Sequence, residues 1–216
     1  MKFRDINGSL RVNFADETIR RAMSVAHECG ITRIADISTL SKPGGNIYTF
    51  SAIRPNAYIQ QMSNGKGVTR ENSTASAIME TIELMHSETL DGLKYLNTSA
   101  KQLYETGHIV YTLDEILPAN TSVSLLDLTE AIMPYLSAKQ YKINNANQLE
   151  LQHCYIPAAA CIFQVFPYTN RSISTNGLSS GNTREESLIH GLLELIERDA
   201  VSKQANIYKL KFRDKD

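Results

Sequence analysis

Residues 174–183 read Ser-Thr-Asn-Gly-Leu-Ser-Ser-Gly-Asn-Thr, a loop of small and polar residues that leads directly into a predicted helix. A loop of this kind at a helix N-terminus exposes backbone N–H groups to an anion, and the helix dipole adds attraction. The loop lacks the Gly-x-x-x-x-Gly-Lys-Ser/Thr order of a P-loop, so that class of nucleotide site is not indicated. An ordinary turn has the same composition. The loop therefore marks a candidate phosphate site that needs other evidence.

The helix after this loop is predicted to begin near Thr183 and to run past Ala200. At about 100° per residue, four of its ionisable side chains share an arc of about 80°: Glu186, His190, Glu194 and Glu197. A separate arc is apolar and is expected to face the core: Leu188, Ile189, Leu192 and Ile196. Thr183 and Glu186 also fit a capping box, which would explain Glu186 by local helix initiation. That explanation does not extend to Glu194 or Glu197.

A second acidic face lies on an earlier helix, which is predicted from Thr69 to Leu90. Ser76, Glu80 and Glu83 share one arc of this helix. Its apolar positions lie on another arc: Ala75, Ile78, Met79, Ile82 and Met85. Such a glutamate pair is compatible with a solvated surface, although its like charges repel by a few tenths of a kcal/mol. Together with the other helix and the candidate phosphate-binding loop, it is also compatible with a nucleotide bound through Mg²⁺, which prefers oxygen ligands.

The rest of the pattern interleaves helices and strands without a regular βαβ rhythm. We predict a helix over 16–29, strands over 31–38 and 47–54, and a loop over 63–67. The stretch 97–152 is hard to interpret, with short helical pieces at 125–136, and an apolar strand is predicted over 158–166. These features favour an α+β fold. The length of 216 residues suits a single domain.

Composition excludes several classes of function. A net charge of -1 gives no basic surface of the kind that nucleic-acid binding needs. The N-terminal sequence lacks a signal peptide, and no run approaches ~18 apolar residues, so no membrane association is expected. The three cysteines, Cys29, Cys154 and Cys161, show no Cys-x-x-Cys spacing, which argues against zinc and disulfides. We therefore expect a cytoplasmic protein.

The motifs resemble those of the YcaO family, and the resemblance covers most of the chain. Ser76, Glu80 and Glu83 match the family's Ser-x-x-x-Glu-x-x-Glu motif. Residues 176–183 match its Asn-Gly-x-x-Ser-Gly-Asn-Thr loop, and residues 194–199 match Glu-x-x-Glu-Arg-Asp. Residues 30–37, 52–56 and 65–69 are similar to the opening part of YcaO proteins. The implied fold is a mixed sheet flanked by long helices.

The resemblance implies a cleft that binds ATP and Mg²⁺ between the two acidic helices. By this correspondence four glutamates face the metal: Glu80, Glu83, Glu194 and Glu197. Five residues would contact the nucleotide or metal-bound water: Ser76, Ser179, Asn182, Glu186 and Arg198. Lys2 and Ser9 match the family's N-terminal basic residue and small hydroxyl that reach the nucleotide. No protein nucleophile is needed, so the catalytic residue is left unassigned.

The implied reaction is ATP-dependent phosphorylation of a backbone amide oxygen in a ribosomally made peptide or protein. Such activation leads to azoline rings, whose oxidised forms are oxazoles and thiazoles, or to thioamides, as in bacteriocin biosynthesis. The implied partners are the peptide substrate, an accessory peptide-delivery or TfuA-like subunit, and a second copy in a homodimer. The chain as a whole, 1–216, is interpreted as one YcaO-like ATP-binding domain.

The sequence departs from the family pattern in three respects. Leu84 stands where many members have Arg, and His190 stands where several have Gln. Members usually continue for well over a hundred further residues with another Glu/Arg motif, so we expect the domain to be truncated at its C-terminus. Two readings follow from this: a cyclodehydratase or thioamide-forming enzyme, which need not be active alone, or a catalytically incomplete remnant that binds a peptide or a partner subunit.

Overall fold

The computed structural model describes residues 3–6, 9–40, 47–116, 128–164 and 174–207, which form two compact units. The first unit comprises residues 1–86 and 175–216, and the second comprises residues 87–174. Both units combine helices with sheets, which confirms the α+β prediction. No helix of the described part of the chain is both long enough and apolar enough to cross a membrane.

The first unit is built on a three-stranded antiparallel sheet in the order β3-β4-β5. Its strands, in chain order, are β1 (Arg4–Ile6), β2 (Ser9–Arg11), β3 (Arg33–Asp36), β4 (Tyr48–Ile53) and β5 (Met62–Gly67). Its helices are α1 (Ala15–Met23), α2 (Arg70–His86) and α5 (Arg184–Ile207). The strands β1 and β2 pair separately as a short antiparallel ribbon. The core lies between the sheet, α1 and α2 and includes fully buried Ala52, Ala77 and Ile78.

Close contact between α2 and β5 depends on two glycines. A Cβ built on Gly65 would overlap the Ser73 carbonyl oxygen and the Ala77 backbone, and one on Gly67 would lie 2.7 Å from the Ser73 nitrogen. The Ser73 hydroxyl, which is fully buried, donates to the Gly65 carbonyl at 2.8 Å. The helix therefore lies directly on the strand backbone, and this contact fixes the face that α2 turns away from the core.

The second unit has a four-stranded mixed sheet in the order β6-β8-β9-β7. Its strands are β6 (Tyr95–Thr98), β7 (Ile109–Val110), β8 (Met133–Ile143) and β9 (Leu149–Pro157). Its helices are α3 (Ala100–Glu105) and α4 (Leu113–Ile116). Only β7 and β9 pair in parallel among the described strands. Fully buried Tyr135 and Leu113 belong to a core separate from that of the first unit.

Three predicted elements are wrong. Residues 63–67, predicted as a loop, belong to β5, because their glycines serve close packing and not a turn. In the stretch 125–136, residues 128–130 form a turn and β8 begins at Met133, while 117–127 lie outside the described residues. Pro134, which cannot sit in a helix interior without loss of a hydrogen bond, is the sequence signal that this prediction overlooked. In the stretch 158–166, Ala158–Ala160 form a 3-10 helix, and 165–166 lie outside the described residues.

The apolar stripe of α5 is a further correction. Leu188, Leu192 and Ile196 were expected to face the core, yet their side chains are exposed, and Ile189 alone of that set is half-buried. The corresponding stripe of α2 does pack into the core of the first unit, through Ile78, Met79 and Ile82. The two helices therefore differ: α2 is held by its apolar face, whereas the contacts described below hold α5 by its N-terminal turn.

Candidate functional site

The first unit contains a cavity of about 740 Å³. Residues from α2, α5, β5, the loop before α5 and the chain near β2 line it. Five carboxylates contribute to the lining: Glu80, Glu83, Glu186, Glu194 and Glu197. Four basic side chains also contribute: Arg11, Lys66, His190 and Arg198. Acidic and basic groups thus share one cavity, as a site for a metal-bound anion requires.

One wall of the cavity is the side of α2 that faces away from the core. Asn72, Ser76, Glu80 and Glu83 follow one another along this side at helical spacing. Ala77, Ile78 and Thr81 occupy the buried side. Because the buried side is fixed by packing on the sheet, the polar row is directed into the cavity without any side chain having to leave the core.

The glutamates of this wall carry an electrostatic cost. Burial raises the pKa of the Glu80 carboxyl above its ordinary value. Burial is also the main cause that raises the pKa of Glu83; hydrogen bonds from Ser180 oppose it, and the charges of Glu194 and Glu80 add to it. The effect of Glu194 on Glu83 places carboxylates of the two helices within electrostatic range of each other. A cation in the cavity would lower this cost.

The opposite wall is the polar side of α5. Glu194 and Glu197 line the cavity together with His190. The pKa of His190 is lowered, chiefly by burial and next by the charge of Arg11, whereas Glu194 and Glu186 act in the opposite sense. Arg198 forms an ion pair with Glu194 and donates to the Asn176 side chain. The guanidinium therefore links α5 to the loop that precedes it.

The loop before α5 is fastened to both helices. The Ser180 hydroxyl donates to the Met79 carbonyl of α2 at 3.2 Å, and the Ser179 hydroxyl donates to the Ser187 carbonyl of α5 at 2.7 Å. Gly181 is required here, because a Cβ at this position would lie 2.5 Å from the Ser187 nitrogen. The Thr183 hydroxyl accepts a bond from the Glu186 N–H at 3.2 Å, which caps α5. The loop is thus held at the edge of the cavity.

Glu186 connects the start of α5 to the N-terminal part of the chain. Its side chain is only 3% exposed, and its carboxylate accepts the Val12 N–H at 2.9 Å. Arg11 lies 3.8 Å away as an ion-pair partner, and the Asn182 amide donates to the carboxylate at 3.2 Å. Asn182 in turn exchanges a hydrogen bond with the Thr18 hydroxyl at 3.0 Å. Glu186 therefore joins the N-terminal segment and the loop before α5, both of which border the cavity.

Most of the site residues predicted from sequence line this cavity: Ser76, Glu80, Glu83, Asn182, Glu186, Glu194, Glu197 and Arg198. Ser179 is not among the lining residues, and its hydroxyl donates to the Ser187 carbonyl. Lys2 lies outside the described residues, and Ser9 is placed only as the first residue of the β2 backbone. Their proposed contacts with a nucleotide stay predictions.

Several cavity residues were not predicted, and three of them show why. Asn72 extends the row of Ser76 and Glu80 by one helical turn, so the same spacing rule would have found it. Lys66 was assigned to a loop and was therefore overlooked, although it lies on β5. Arg11 reaches the site by a contact with Glu186, which is far away in sequence, and no local pattern signals such a contact.

The carboxylates do not form a closed metal cage. Among the described residues, no group of three or more His, Cys, Asp and Glu side chains is arranged to hold an ion. Magnesium is usually bound by one or two carboxylates together with water and substrate phosphates, and dedicated cages made only of protein groups are uncommon for it. A pair of carboxylates on each wall, of which Glu80, Glu83 and Glu194 are half-buried and Glu197 is exposed, therefore fits Mg²⁺ that arrives with a nucleotide, because Mg²⁺ prefers oxygen ligands.

The comparisons with known proteins start with sequence. The chain is 35% identical over 197 residues to a protein of Methanothermobacter thermautotrophicus described as uncharacterized. This match takes in 86% of the chain but 45% of the relative, so the chain spans less than half the length of that protein.

Two solved structures share the fold. The YcaO structure from Methanopyrus kandleri, bound with AMPPCP and Mg²⁺, superposes with a TM-score of 0.65 at 22% identity. That match takes in 92% of this chain and 46% of the other. A heterocyclase in complex with substrate and cofactor gives a TM-score of 0.66 at 19% identity, over 88% of this chain and 28% of the other.

The family assignment rests on a family model that matches residues 64–211, more than half of the chain. Its description is YcaO cyclodehydratase, ATP- and Mg²⁺-binding. The description confirms ATP and Mg²⁺ as the cofactors predicted from the motifs, and the solved structures confirm the predicted YcaO-like fold. The chain belongs to the YcaO family.

Proposed function

We propose that the cavity of the first unit binds ATP with Mg²⁺ and that the chain takes part in phosphorylating backbone amide oxygens of a peptide or protein. The observation that carries the proposal is the placement of two carboxylate pairs, from helices more than a hundred residues apart in sequence, on one cavity. A solvated acidic surface would not require both pairs to line the same cavity. The family description and the molecules bound in the two solved structures support the same reading.

In this proposal Glu80, Glu83, Glu194 and Glu197 hold the metal. Bound Mg²⁺ would neutralise negative charge on the phosphates and orient them. The loop at residues 178–182 and the N-terminus of α5 border the cavity and offer backbone N–H groups to phosphate oxygens. Ser76 and Asn182 add neutral polar side chains, and Arg198 holds Glu194 in place.

The chemical step converts a poor electrophile into a reactive one. The amide oxygen attacks the γ-phosphorus of ATP, and the bond from that phosphorus to the bridging oxygen of ADP breaks. A Cys, Ser or Thr side chain of the substrate, or a sulfur donor, then adds to the amide carbon, and the oxygen leaves with the phosphate. Such transfers are accelerated by positioning and charge stabilisation, so the protein need not supply a nucleophile.

The product and the partners stay predictions. The donor set of the cavity does not distinguish azoline from thioamide formation, because both begin with the same phosphorylated amide. An accessory peptide-delivery or TfuA-like subunit and a homodimer are proposed on the family resemblance. The chain spans less than half of the relatives described above, so the activity of a whole YcaO protein is likewise proposed for it and tested below.

Calorimetric titration with ATP in the presence and absence of Mg²⁺ tests the site. We expect Mg²⁺-dependent binding in the wild type and a loss of roughly tenfold or more in affinity in Glu80→Gln and in Glu194→Gln. Glu71→Gln is the matched control, since Glu71 lies on α2 but is exposed and outside the cavity. Equal affinity for ATP in the cavity variants and the control would show that the proposed site is wrong.

Release of ADP in the presence of a cysteine-containing peptide tests the catalytic half of the proposal. Peptide-stimulated ADP release that is lost in Glu80→Gln is the expected result. Tight binding of Mg²⁺ and ATP without any ADP release would instead identify the chain as a binding unit. The titration and the ADP-release assay together thus distinguish a wrong site from a correct site that binds ATP without hydrolysing it.

A further inference from the structure

The hairpin formed by β8 and β9 extends well past its neighbouring strands. Among the described residues, β6 pairs with β8 only at residues 133–136, and β7 pairs with β9 only at residues 154–155. The hairpin continues for seven more residues of β8, from 137 to 143, paired on one side with β9. Within the described part of the chain, this length of β8 has no second neighbouring strand, so it presents a free edge.

The turn at the end of the hairpin has hydrogen bonds of its own. The Asn144 N–H donates to the Gln148 carbonyl at 2.9 Å, and the Asn144 side chain accepts the N–H groups of Ala146 and Gln148 at 3.0 and 2.9 Å. Asn147 takes the left-handed conformation, with φ of 60°, that such a turn needs. The free edge is therefore a regular strand and not a frayed end.

One face of the extended hairpin is apolar although it is exposed. Tyr141 lies opposite Leu151, and Ile143 lies opposite Leu149. Ile143 is 71% exposed and Leu149 is 68% exposed, and Tyr141 and Leu151 are also exposed. Because side chains alternate between the two faces of a strand, these four form one patch, which we call the distal hairpin face. A hydrophobic patch beside a free strand edge is typical of a surface that binds another chain.

The charge of the edge strand selects the kind of partner. β8 carries Lys139 and Lys142 and no carboxylate between Met133 and Ile143. Pairing of β8 with β8 of a second copy would bring four lysines close together, and lysines on an edge strand are a known means of preventing such self-pairing. An acidic segment would instead meet opposite charge from Lys139 on one face and, on the other face, from Lys142, which lies opposite Glu150 of β9.

We propose that the free edge of β8 binds an extended acidic segment of a partner protein by strand addition. The backbone of the segment would pair with residues 137–143, its apolar side chains would pack beside Tyr141 and Ile143, and its carboxylates would meet Lys139 and Lys142. This surface belongs to the second unit alone, and its occupation does not depend on the ATP site.

Fluorescence anisotropy with a labelled peptide of alternating Glu and Val, seven residues long, tests the proposal on the full chain. Two comparison peptides have the same length: alternating Lys and Val, and a Glu/Val peptide whose order breaks the alternation. We expect the alternating acidic peptide to bind at least roughly tenfold more tightly than either of the others, because only it combines the strand pattern with negative charge.

Two double variants and one control complete the experiment. Lys139→Glu/Lys142→Glu should weaken binding of the acidic peptide at least roughly tenfold and strengthen binding of the basic peptide. Tyr141→Ser/Ile143→Ser should weaken binding of the acidic peptide without strengthening binding of the basic one. Lys94→Glu, a single charge reversal at an exposed position beside β6, should bind as the wild type does. Circular dichroism checks that each variant is folded, and titration with ATP and Mg²⁺ checks that the first unit is unaffected.

Three results would overturn the proposal. The first is equal or undetectable binding of all three peptides. The second is a loss in Lys94→Glu as large as that in the β8 double variant. The third is a dimer by sedimentation that dissociates in the β8 variants, which would show that a second copy occupies the edge. A loss of ATP binding by Glu80→Gln with intact peptide binding would leave this proposal standing, so the two proposals fail separately.

Discussion

At the scale of the residue, the site is marked by side chains whose placement is unfavourable without a ligand. Glu80 and Glu83 are half-buried, and burial raises the pKa of each carboxyl. Glu194 adds repulsion from the other helix. Residues selected only for stability would not be arranged in this way, and groups with perturbed pKa values in a cavity are typical of functional sites.

The first prediction follows from this electrostatic cost. Because the charged form of Glu83 is disfavoured in the folded chain, Glu83→Gln should raise the free energy of unfolding of the ligand-free protein by about 1 kcal/mol. The same change should weaken binding of ATP with Mg²⁺. Urea denaturation and calorimetry measure the two effects, and Glu71→Gln should stay within about ±0.5 kcal/mol in stability. A destabilised Glu83→Gln with unchanged nucleotide affinity would contradict both the cost and the role.

The second prediction concerns Glu186, whose bonds are mostly structural. In Glu186→Ala the Val12 N–H and the Asn182 amide lose their acceptor, and Arg11 loses its ion-pair partner. We expect a loss of about 2–4 kcal/mol in the free energy of unfolding. Glu186→Gln keeps an acceptor for Val12 and should lose less.

Chemical denaturation of these two variants beside Glu185→Gln is the measurement. Glu185 is exposed on the same turn of α5, so its substitution should have little effect. If Glu186→Ala were as stable as the wild type, the network between the N-terminal segment and α5 would have no structural role, and a nucleotide contact would become the better explanation of Glu186.

At the scale of the element, sequence patterns located the two acidic helices well because each has a long helical period. The predicted helix at 69–90 corresponds to α2, and the one beginning near Thr183 corresponds to α5. One error arose because a residue type serves two purposes. Gly65 and Gly67 read as turn residues, but their lack of a side chain lets α2 approach the sheet, which only the folded structure reveals.

The third prediction tests this close contact. Gly65→Ala should lower the free energy of unfolding by about 3 kcal/mol or more, because the added methyl group overlaps the backbone of α2, which cannot yield as a side chain would. Ser63→Ala on the same strand is the contrast. The Ser63 hydroxyl is buried without a partner among the described residues, so its removal should be neutral or stabilising.

Thermal denaturation of the two variants gives the answer directly. Equal stability of Gly65→Ala and the wild type would mean that the backbones of α2 and β5 are far enough apart to accommodate a methyl group. A clear loss in Ser63→Ala would mean that the hydroxyl has a partner that matters.

The fourth prediction uses the exposed stripe of α5, formed by Leu188, Leu192, Leu195 and Ile196. An exposed apolar surface of this kind favours association. We expect the wild type to self-associate with rising concentration and Leu192→Gln/Ile196→Gln to shift the equilibrium toward the monomer with an unchanged melting temperature. Light scattering at several concentrations measures the self-association. A wild type that is monomeric at all of them would contradict the prediction of a homodimer.

At the scale of the whole molecule, the site depends on contacts that sequence patterns do not contain. The motifs predicted residues of α2 and α5 that line one cavity, because the family resemblance supplied their common role. They did not predict that Arg11, Val12 and Thr18 reach Glu186 and Asn182 across more than 160 residues of chain. Neither did they predict the second unit, since the stretch 97–152 combines short strands with no clear period.

The last prediction follows from the continuity of that second unit. Residues 87–174 form it without interruption, whereas the first unit is made of two separate segments. The second unit also has a core of its own, around fully buried Tyr135 and Leu113, and all four described strands of its sheet lie within the segment. A continuous segment with its own core meets the requirements for independent folding.

We therefore expect an isolated 87–174 segment to fold and to unfold cooperatively on heating, as judged by circular dichroism and by dispersed amide resonances. Tyr135→Ala in the same segment should abolish the transition or lower the free energy of unfolding by about 3–5 kcal/mol, since a large aromatic side chain leaves the centre of the core. Tyr95→Ala, at an exposed position on β6, is the control and should retain the transition. An unfolded wild-type segment would show that the second unit needs the first for its stability, and the division into two units would then describe packing but not folding.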